Sequence, residues 1–524
     1  MGTKIKIILS IFNLRSMSIA LIIINIFLAS RWIIDGNLFF HTDIARDFLL
    51  IEDIVDNRHL ALIGPRSGAI PGLFHGPLWL YLNAPSFILG QGNPVVVGWF
   101  WVILYIASLY SIYWVGKKMF GEKEGILSAL LLSVTTILYI RSLFNPYGSL
   151  ILAPLFFYLF YRYVENNNWK TLILSFFILG LIIQFQMAFG IPILLLSILW
   201  LVVQVFRSGK VTHLLSTFIL IIPLSSFLIF DLRNNFLQFN SVLNYIFGNE
   251  SHGKMDIDLS HLFMLRIKES IIDGIGLVSQ NNIYLTYGLL LIIIYVGFIL
   301  LKRKIRTSYF LFFYFYFGFW ILTTLFKGPV WSYYYFPFIP LLILSFISLK
   351  KYLNKYVFYS FFTLVYLVNL NTVVLDLKLY NDNPIQQDVS TWKFNQSVAK
   401  QVFSSNETEF GYFIFTPDLY GYSPRYALNY YQKQNIKSVF PYQKKSVTYL
   451  VVAPPPFYGK DPNSIWYQKN TNSDKWKEED LKIIRDPDET VNYENGVVVE
   501  KYYLSAMEQL IQANPFLIQG IFFR

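Results

Sequence analysis

Long apolar stretches with few charges constrain this chain more than any other feature. Runs at roughly 17–34, 94–115, 125–141, 147–163, 171–188, 190–206, 212–230, 283–301, 308–326, 333–349 and 355–374 approach or exceed the length needed to cross about 30 Å of hydrocarbon. Inside a bilayer each backbone amide must find its partner locally, so the runs read as helices, about eleven of them. Composition agrees: 14% of residues are charged and 55% hydrophobic, against about a quarter charged in soluble domains. The fold class expected is a polytopic α-helical membrane protein. Cysteine is absent, which excludes disulfides, thiolate metal sites and a cysteine nucleophile.

Loop charges set the orientation. Alternate connections are basic: Lys117, Lys118 and Lys123; Arg162 and Lys170; Arg207 and Lys210; KRKIR at 302–306; Lys350, Lys351 and Lys355. The intervening short connections at 142–146 and 184–190 carry no Lys or Arg, and that at 327–332 carries only Lys327. This pattern places the N-terminus in the cytoplasm, and it explains the net charge of +11 without a nucleic-acid partner. Lys4, Lys6 and Arg15 precede the first run with no small-residue cleavage site, so that run is expected to be retained. PLWLYLNAPSFILG (77–90) is shorter, with Asn83 and Pro85 inside it, and reads as an interfacial helix. Counting it as a span would put KRKIR outside.

Three segments then face away from the cytoplasm: 35–93, 231–282, and the tail from about 375. The division expected is a membrane domain over 1–374 and an extracytoplasmic α/β domain over 375–524. In the tail FGYFIFT and TYLVVAP have strand character, and YSPRYALNYYQKQN has helix character with Pro near its start.

The first loop opens with FFHTDIARDF (39–48). Thr42 is a capping residue type, and Ile44, Phe48, Ile51 and Val55 follow at helical spacing. On such a helix Asp43, Arg46 and Asp47 share one face. The helix is expected to lie at the membrane surface, greasy side down and charged side toward water. GPRSGAIPGLFHGPLW then supplies four Gly and three Pro between Gly64 and Pro77, the composition of an irregular, mobile loop that covers a site. Two readings compete for the acids. A carboxylate in a first helical turn is favoured by the macrodipole alone, and Arg46–Asp47 has the makings of a surface pair. A reaction centre accounts better for a charged cluster at the exit of the first span, followed by a Gly/Pro loop and a second polar motif, FHGPLWLYL.

An acid just after the first span, a Pro–Leu–aromatic interfacial segment, and a span ending in GKKMFGEKEG together resemble the GT-C class of membrane glycosyltransferases. The similarity is greatest to the protein O-mannosyltransferase and lipid A aminoarabinose transferase group (glycosyltransferase family 39-like). It covers roughly residues 17–350 and is strongest over 40–165. The resemblance implies transfer of a sugar from a polyprenyl-phosphate donor to an extracytoplasmic lipid, glycan or protein, with Asp43 as catalytic base. Members often carry a second acid beside the first; here Ile44 follows Asp43, and Asp47 is the next acid on the helix. His75 stands where some members have an acid before the Pro-containing segment, and Asn145, in FNPYG, stands where an acid often follows the third span. Both departures bear on any family metal site.

A sugar on a polyprenyl phosphate presents its anomeric carbon at the bilayer edge. Transfer needs a base for the acceptor proton and cations or donors for the departing phosphate. By topology Arg46, Arg66, Arg233 and Lys327 are external cations, and His75, Asn145 and Tyr334 join the candidate donor site. Lys327 beside Trp331 and Tyr333 to Tyr335 reads equally as an aromatic belt with a snorkelling lysine. Asp231, in DLRNN with Arg233, reads as a span terminus or as part of a cavity. Gln184 and Gln186 read as interhelical hydrogen-bonding residues. His75, His252 and His261 are external and leave a divalent ion open, but no ligand spacing marks one. A lipid-linked glycan flippase would place ionisable groups within spans and show matching halves; the ionisable residues here lie at loop level and no halves match. A glycan polymerase or ligase has no particular need of an acid directly after the first span.

Overall fold

The computed structural model describes residues 14–68, 70–247, 254–255, 257–302, 307–382, 389–416, 420–453, 473–515 and 517. Lys4, Lys6, His252 and positions 303–306 of the basic turn lie outside the described residues. Contacts group the chain into two compact units. One comprises Met1–Arg31, Leu60–Asn83 and Trp99–Asp376; the other comprises Trp32–His59, Ala84–Gly98 and Leu377–Arg524.

The first unit is helical. Among the described residues four helices are long and apolar enough to cross a membrane: Pro94–Met119, Pro146–Asn166, Met187–Ser208 and Lys355–Asp382. Two bent pairs bring that number to six if each pair is one span: Val211–Ile221 with Ser225–Arg233 at 67°, and Leu259–Ser279 with Ile283–Tyr295 at 103°. Leu14–Ala29, Leu78–Leu89 and Trp169–Phe185 are apolar but shorter. Continuous runs in the sequence are therefore interrupted in space. The boundary between the 171–188 and 190–206 runs, by contrast, was expected, and it falls at Gln186, whose extended backbone (φ −148°, ψ 93°) ends one helix and starts the next. Helices approach closely where side chains vanish: Gly116 and Gly125 face each other with no room for a Cβ at either position. Asn25 donates to Ser133 Oγ at 2.8 Å between the Leu14–Ala29 and Glu122–Thr135 helices.

The second unit contains a five-stranded sheet of order β2-β1-β3-β5-β4, with β1 Glu409–Phe415, β2 Ser438–Pro441, β3 Val447–Val452, β4 Glu489–Asn492 and β5 Val498–Tyr503. β1 runs parallel to β2 and β3, while β5 is antiparallel to β3 and β4. The aromatic and β-branched runs FGYFIFT and TYLVVAP become β1 and β3, and the segment between them forms the helix Tyr422–Gln434. Phe413, Phe415, Leu450, Trp476, Leu481 and Tyr502 build the core on one face of the sheet. The short connection from β2 to β3 crosses over β1 at Gly411, where any Cβ would collide with the Gln443 carbonyl oxygen. Tyr442 N donates to Tyr412 O at 2.7 Å in the same crossing.

Candidate active site

The Thr42–Asp56 helix belongs to the second unit. It begins one residue earlier than the sequence suggests. His41, with extended backbone, is the cap, and its Nδ1 accepts the Asp43 amide at 3.3 Å. The expected cap, Thr42, is the first helical residue, and the Ala45 amide, within reach of a Thr42 cap, donates instead to the His41 carbonyl at 3.0 Å. Ile44, Phe48 and Ile51 are buried as the spacing requires. Phe48 packs edge-on to Tyr426 with centroids 5.3 Å apart, and Phe40 packs on Trp392 at 5.2 Å.

The charged face departs from expectation: most of it does not meet water. Glu52 is buried and accepts Asn429 Nδ2 at 3.1 Å and Lys433 Nζ at 2.8 Å, while Asp56 takes Lys433 at 2.6 Å. The Tyr422–Gln434 helix thus covers the second half of this face. Glu52 and Asp56 outweigh the cost of burial and hold the Lys433 ammonium above its ordinary range.

The first half carries the cluster. Arg46 donates from Nη1 to Asp43 Oδ1 at 2.8 Å, and from Nε and Nη2 to Asp47 Oδ1 at 3.2 and 3.0 Å. Exposure is graded: the Asp47 side chain is 4% exposed, Arg46 17% and Asp43 47%. Burial alone would depress the Arg46 guanidinium, but Asp47 and then Asp43 raise it above its ordinary value. Three of its five N–H groups are committed to the two carboxylates, leaving two. The product is one half-exposed carboxylate aimed by an arginine that a buried carboxylate anchors. His41 is lowered by burial; Asp43 opposes that shift and Arg46 adds to it.

The remaining sequence candidates lie in the first unit. His75 sits in a compact hairpin: Gly64 N donates to His75 O at 2.8 Å, His75 N to Pro65 O at 2.9 Å, and Ser67 N to Leu73 O at 2.8 Å. This Gly/Pro stretch is ordered by backbone pairing, contrary to the mobile loop expected. Its glycines serve close approach, since a Cβ on Gly64 would strike the Gly76 carbonyl and one on Gly76 would strike Gln184. Gln184 donates to Pro223 O at 2.7 Å and Ser226 Oγ at 2.9 Å, bonding between helical segments. Asn145 is buried and donates to Phe185 O at 2.7 Å, joining the start of the Pro146–Asn166 helix to the end of Trp169–Phe185. Arg233 is exposed at the end of its helix. Asp231 accepts the amides of Gln238 and Phe239 at 2.9 and 3.3 Å, so it caps the next helix. Lys327 is exposed, and Tyr334 is buried edge-on to Tyr333 at 5.0 Å.

Sequence reasoning missed Arg266. It is fully buried, bonds Glu269 at 2.6 Å, and donates to the carbonyls of Thr323, Phe326 and Gly328 on both sides of Lys327. Its signal was an arginine in an apolar helical repeat with an acid three residues on. Gln186 was read as a hydrogen-bonding residue, yet both its amide atoms are buried without a partner among the described residues. No group of three or more His, Asp or Glu side chains able to hold a metal ion occurs among the described residues. His261 pairs with Asp258 at 2.5 Å.

Residues 74–230 match the protein family described as dolichyl-phosphate-mannose-protein mannosyltransferase. A search of curated proteins found no match. Among solved structures, apo ArnT from Cupriavidus metallidurans superposes with a TM-score of 0.54 at 11% identity, covering 93% of this chain and 97% of that one. The same protein bound to undecaprenyl phosphate gives 0.53 at 10% identity, over 94% and 98%. The archaeal oligosaccharyltransferase AglB from Archaeoglobus fulgidus gives 0.44 at 11% identity, over 83% and 69%. With near-complete mutual coverage by ArnT and a mannosyltransferase-family segment at 74–230, the chain has the GT-C fold of membrane glycosyltransferases.

Proposed function

We propose that this chain transfers a sugar from a polyprenyl-phosphate donor to a hydroxyl-bearing acceptor on the extracytoplasmic side of the membrane. One observation carries the reading: a half-exposed carboxylate, Asp43, held by Arg46 against the buried Asp47. Asp43 takes the acceptor O–H proton while the acceptor oxygen bonds to the anomeric carbon. The bond from that carbon to the phosphate oxygen breaks, and the lipid phosphate leaves with the electron pair. A single displacement of this kind inverts the anomeric centre. The two remaining N–H groups of Arg46 suit a phosphate oxygen without release of Asp43. Arg233 and Lys327, both exposed cations, with His75, Asn145 and Tyr334, complete the donor site in this proposal. The ArnT structure bound to undecaprenyl phosphate supports a polyprenyl carrier as the donor class. We further infer about eleven spans, a cytoplasmic N-terminus and an extracytoplasmic tail over 375–524, supported by the alternation of basic connections.

Asp43→Asn tests the base. Membranes containing the variant and a labelled polyprenyl-phosphate sugar are expected to lose transfer by about two to four orders of magnitude. Transfer at the wild-type rate overturns the assignment. Movement of the lipid across the bilayer with the glycosidic bond intact favours a flippase instead.

A further inference from the structure

Beside the head of the Asp43 helix, within the second unit, lies a cavity of about 170 Å³. Its position in the sheet is specific. Thr416 follows β1 and Ala453 follows β3, and both line the cavity. From β1 the chain continues through Tyr422–Gln434 to β2, whereas β3 lies on the opposite side of β1. The space therefore opens beyond the carboxyl ends of two neighbouring parallel strands. In open α/β sheets that crevice is where ligands settle.

The walls define a ligand chemistry. None of the described lining residues is Asp, Glu, Lys or Arg. The one titratable imidazole, His41, is biased toward its neutral form by burial. Phe394 and Val451 supply apolar surface, while Thr42, Thr416 and Ser423 supply hydroxyls. Asn395 is 2% exposed and spends both amide hydrogens on the carbonyls of Val389 and Thr391, at 2.9 and 2.8 Å. That leaves its side-chain carbonyl as an acceptor at the cavity. For size, apolar cavities of about 150 Å³ hold a benzene ring, so one six-membered ring fits and an extended glycan does not.

We propose that this cavity is a saccharide subsite that takes one neutral, hydroxyl-bearing ring of the acceptor. The inference rests on the glycosyltransferase reading, since it is Thr42, next to Asp43 in the chain, that brings the cavity to the proposed base. The ring lies with its C–H face on Phe394 and Val451 and donates a hydroxyl to Asn395.

The test is direct binding to the full chain in detergent micelles, read by saturation-transfer NMR with methyl mannoside, methyl glucoside and inorganic phosphate as probes. The wild-type protein is expected to give signals from a methyl glycoside that phosphate does not displace. Ala453→Phe, which fills the cavity from a half-buried wall position, is expected to abolish those signals, and the smaller Ala453→Leu to weaken binding about tenfold. Thermal unfolding at the wild-type temperature identifies which filler is folded and therefore decisive. No glycoside signal from the wild type, displacement by phosphate, or full binding by a folded filler overturns the proposal. Asp43→Asn separates the two readings, because it is expected to bind glycoside as the wild type does while losing transfer. Transfer retained with glycoside binding intact sinks the base and keeps the cavity. Transfer lost, with no glycoside bound by the wild type, does the reverse.

Discussion

At His41 a ring nitrogen accepts the Asp43 amide hydrogen, which requires that nitrogen to carry no proton. Burial lowers the imidazole below its ordinary value of 6.5, with Asp43 opposing and Arg46 reinforcing. A group depressed in the fold binds more protons when unfolded, so its contribution is intact above pH 6.5. That contribution is lost as pH falls through 6.5 toward the folded value. Protonation removes the cap, worth about 1 kcal/mol, and places a second cation beside Arg46. Transfer activity is therefore expected to decline only as pH falls below 6.5, through the lowered range of the folded imidazole. His41→Asn keeps a side-chain acceptor at the cap and is expected to flatten that acidic limb. An unchanged profile in the variant would detach the limb from His41. The motif FFHTD held this information: a ring acceptor two positions before the acid is as informative as the threonine between them. Arg46 was legible as a cation on the right face, but its commitment to two carboxylates on one helix was not, because side-chain geometry decides which donors remain.

At the level of elements, Gly411 has one task. The β2–β3 connection lies across β1 at this residue, and any Cβ there meets the Gln443 carbonyl, a backbone atom that cannot swing away. Gly411→Ala is expected to destabilise the sheet unit by about 1–3 kcal/mol, measured as a lowered midpoint in thermal unfolding or as earlier proteolysis of the tail. Wild-type resistance would mean that the crossing relaxes at little cost. The strands and the Tyr422–Gln434 helix were legible because aromatic and β-branched alternation and a proline near the helix start are local signals. The hairpin at 64–76 was misread for an equally physical reason. Glycine and proline mark both mobile loops and tight backbone contacts, and only the partner segments tell these apart, here Gln184 and the opposing strand of the hairpin.

For the whole molecule, the apolar runs announced a helical membrane protein, and the GT-C fold agrees. Run length did not reveal the 67° bend, because it occurs inside a stretch that remains apolar throughout, whereas the 103° bend falls at Gln280, Asn281 and Asn282, just ahead of the 283–301 run. Orientation is testable by fusion. A reporter joined after residue 306 is expected in the cytoplasm and one after residue 380 outside it; the opposite pair of results would invert the topology and move Asp43 to the wrong side for an external acceptor.

Glu52 and Asp56 receive Asn429 and Lys433 from 377 residues further along the chain. During synthesis the helix bearing Asp43 thus emerges long before the side chains that neutralise its lower face. The nascent protein must keep two unpaired acids waiting at the translocon until nearly the last fifth of the polypeptide has been made. A ribosome stalled before that point would leave the helix that carries Asp43 without the partners that cover its second half.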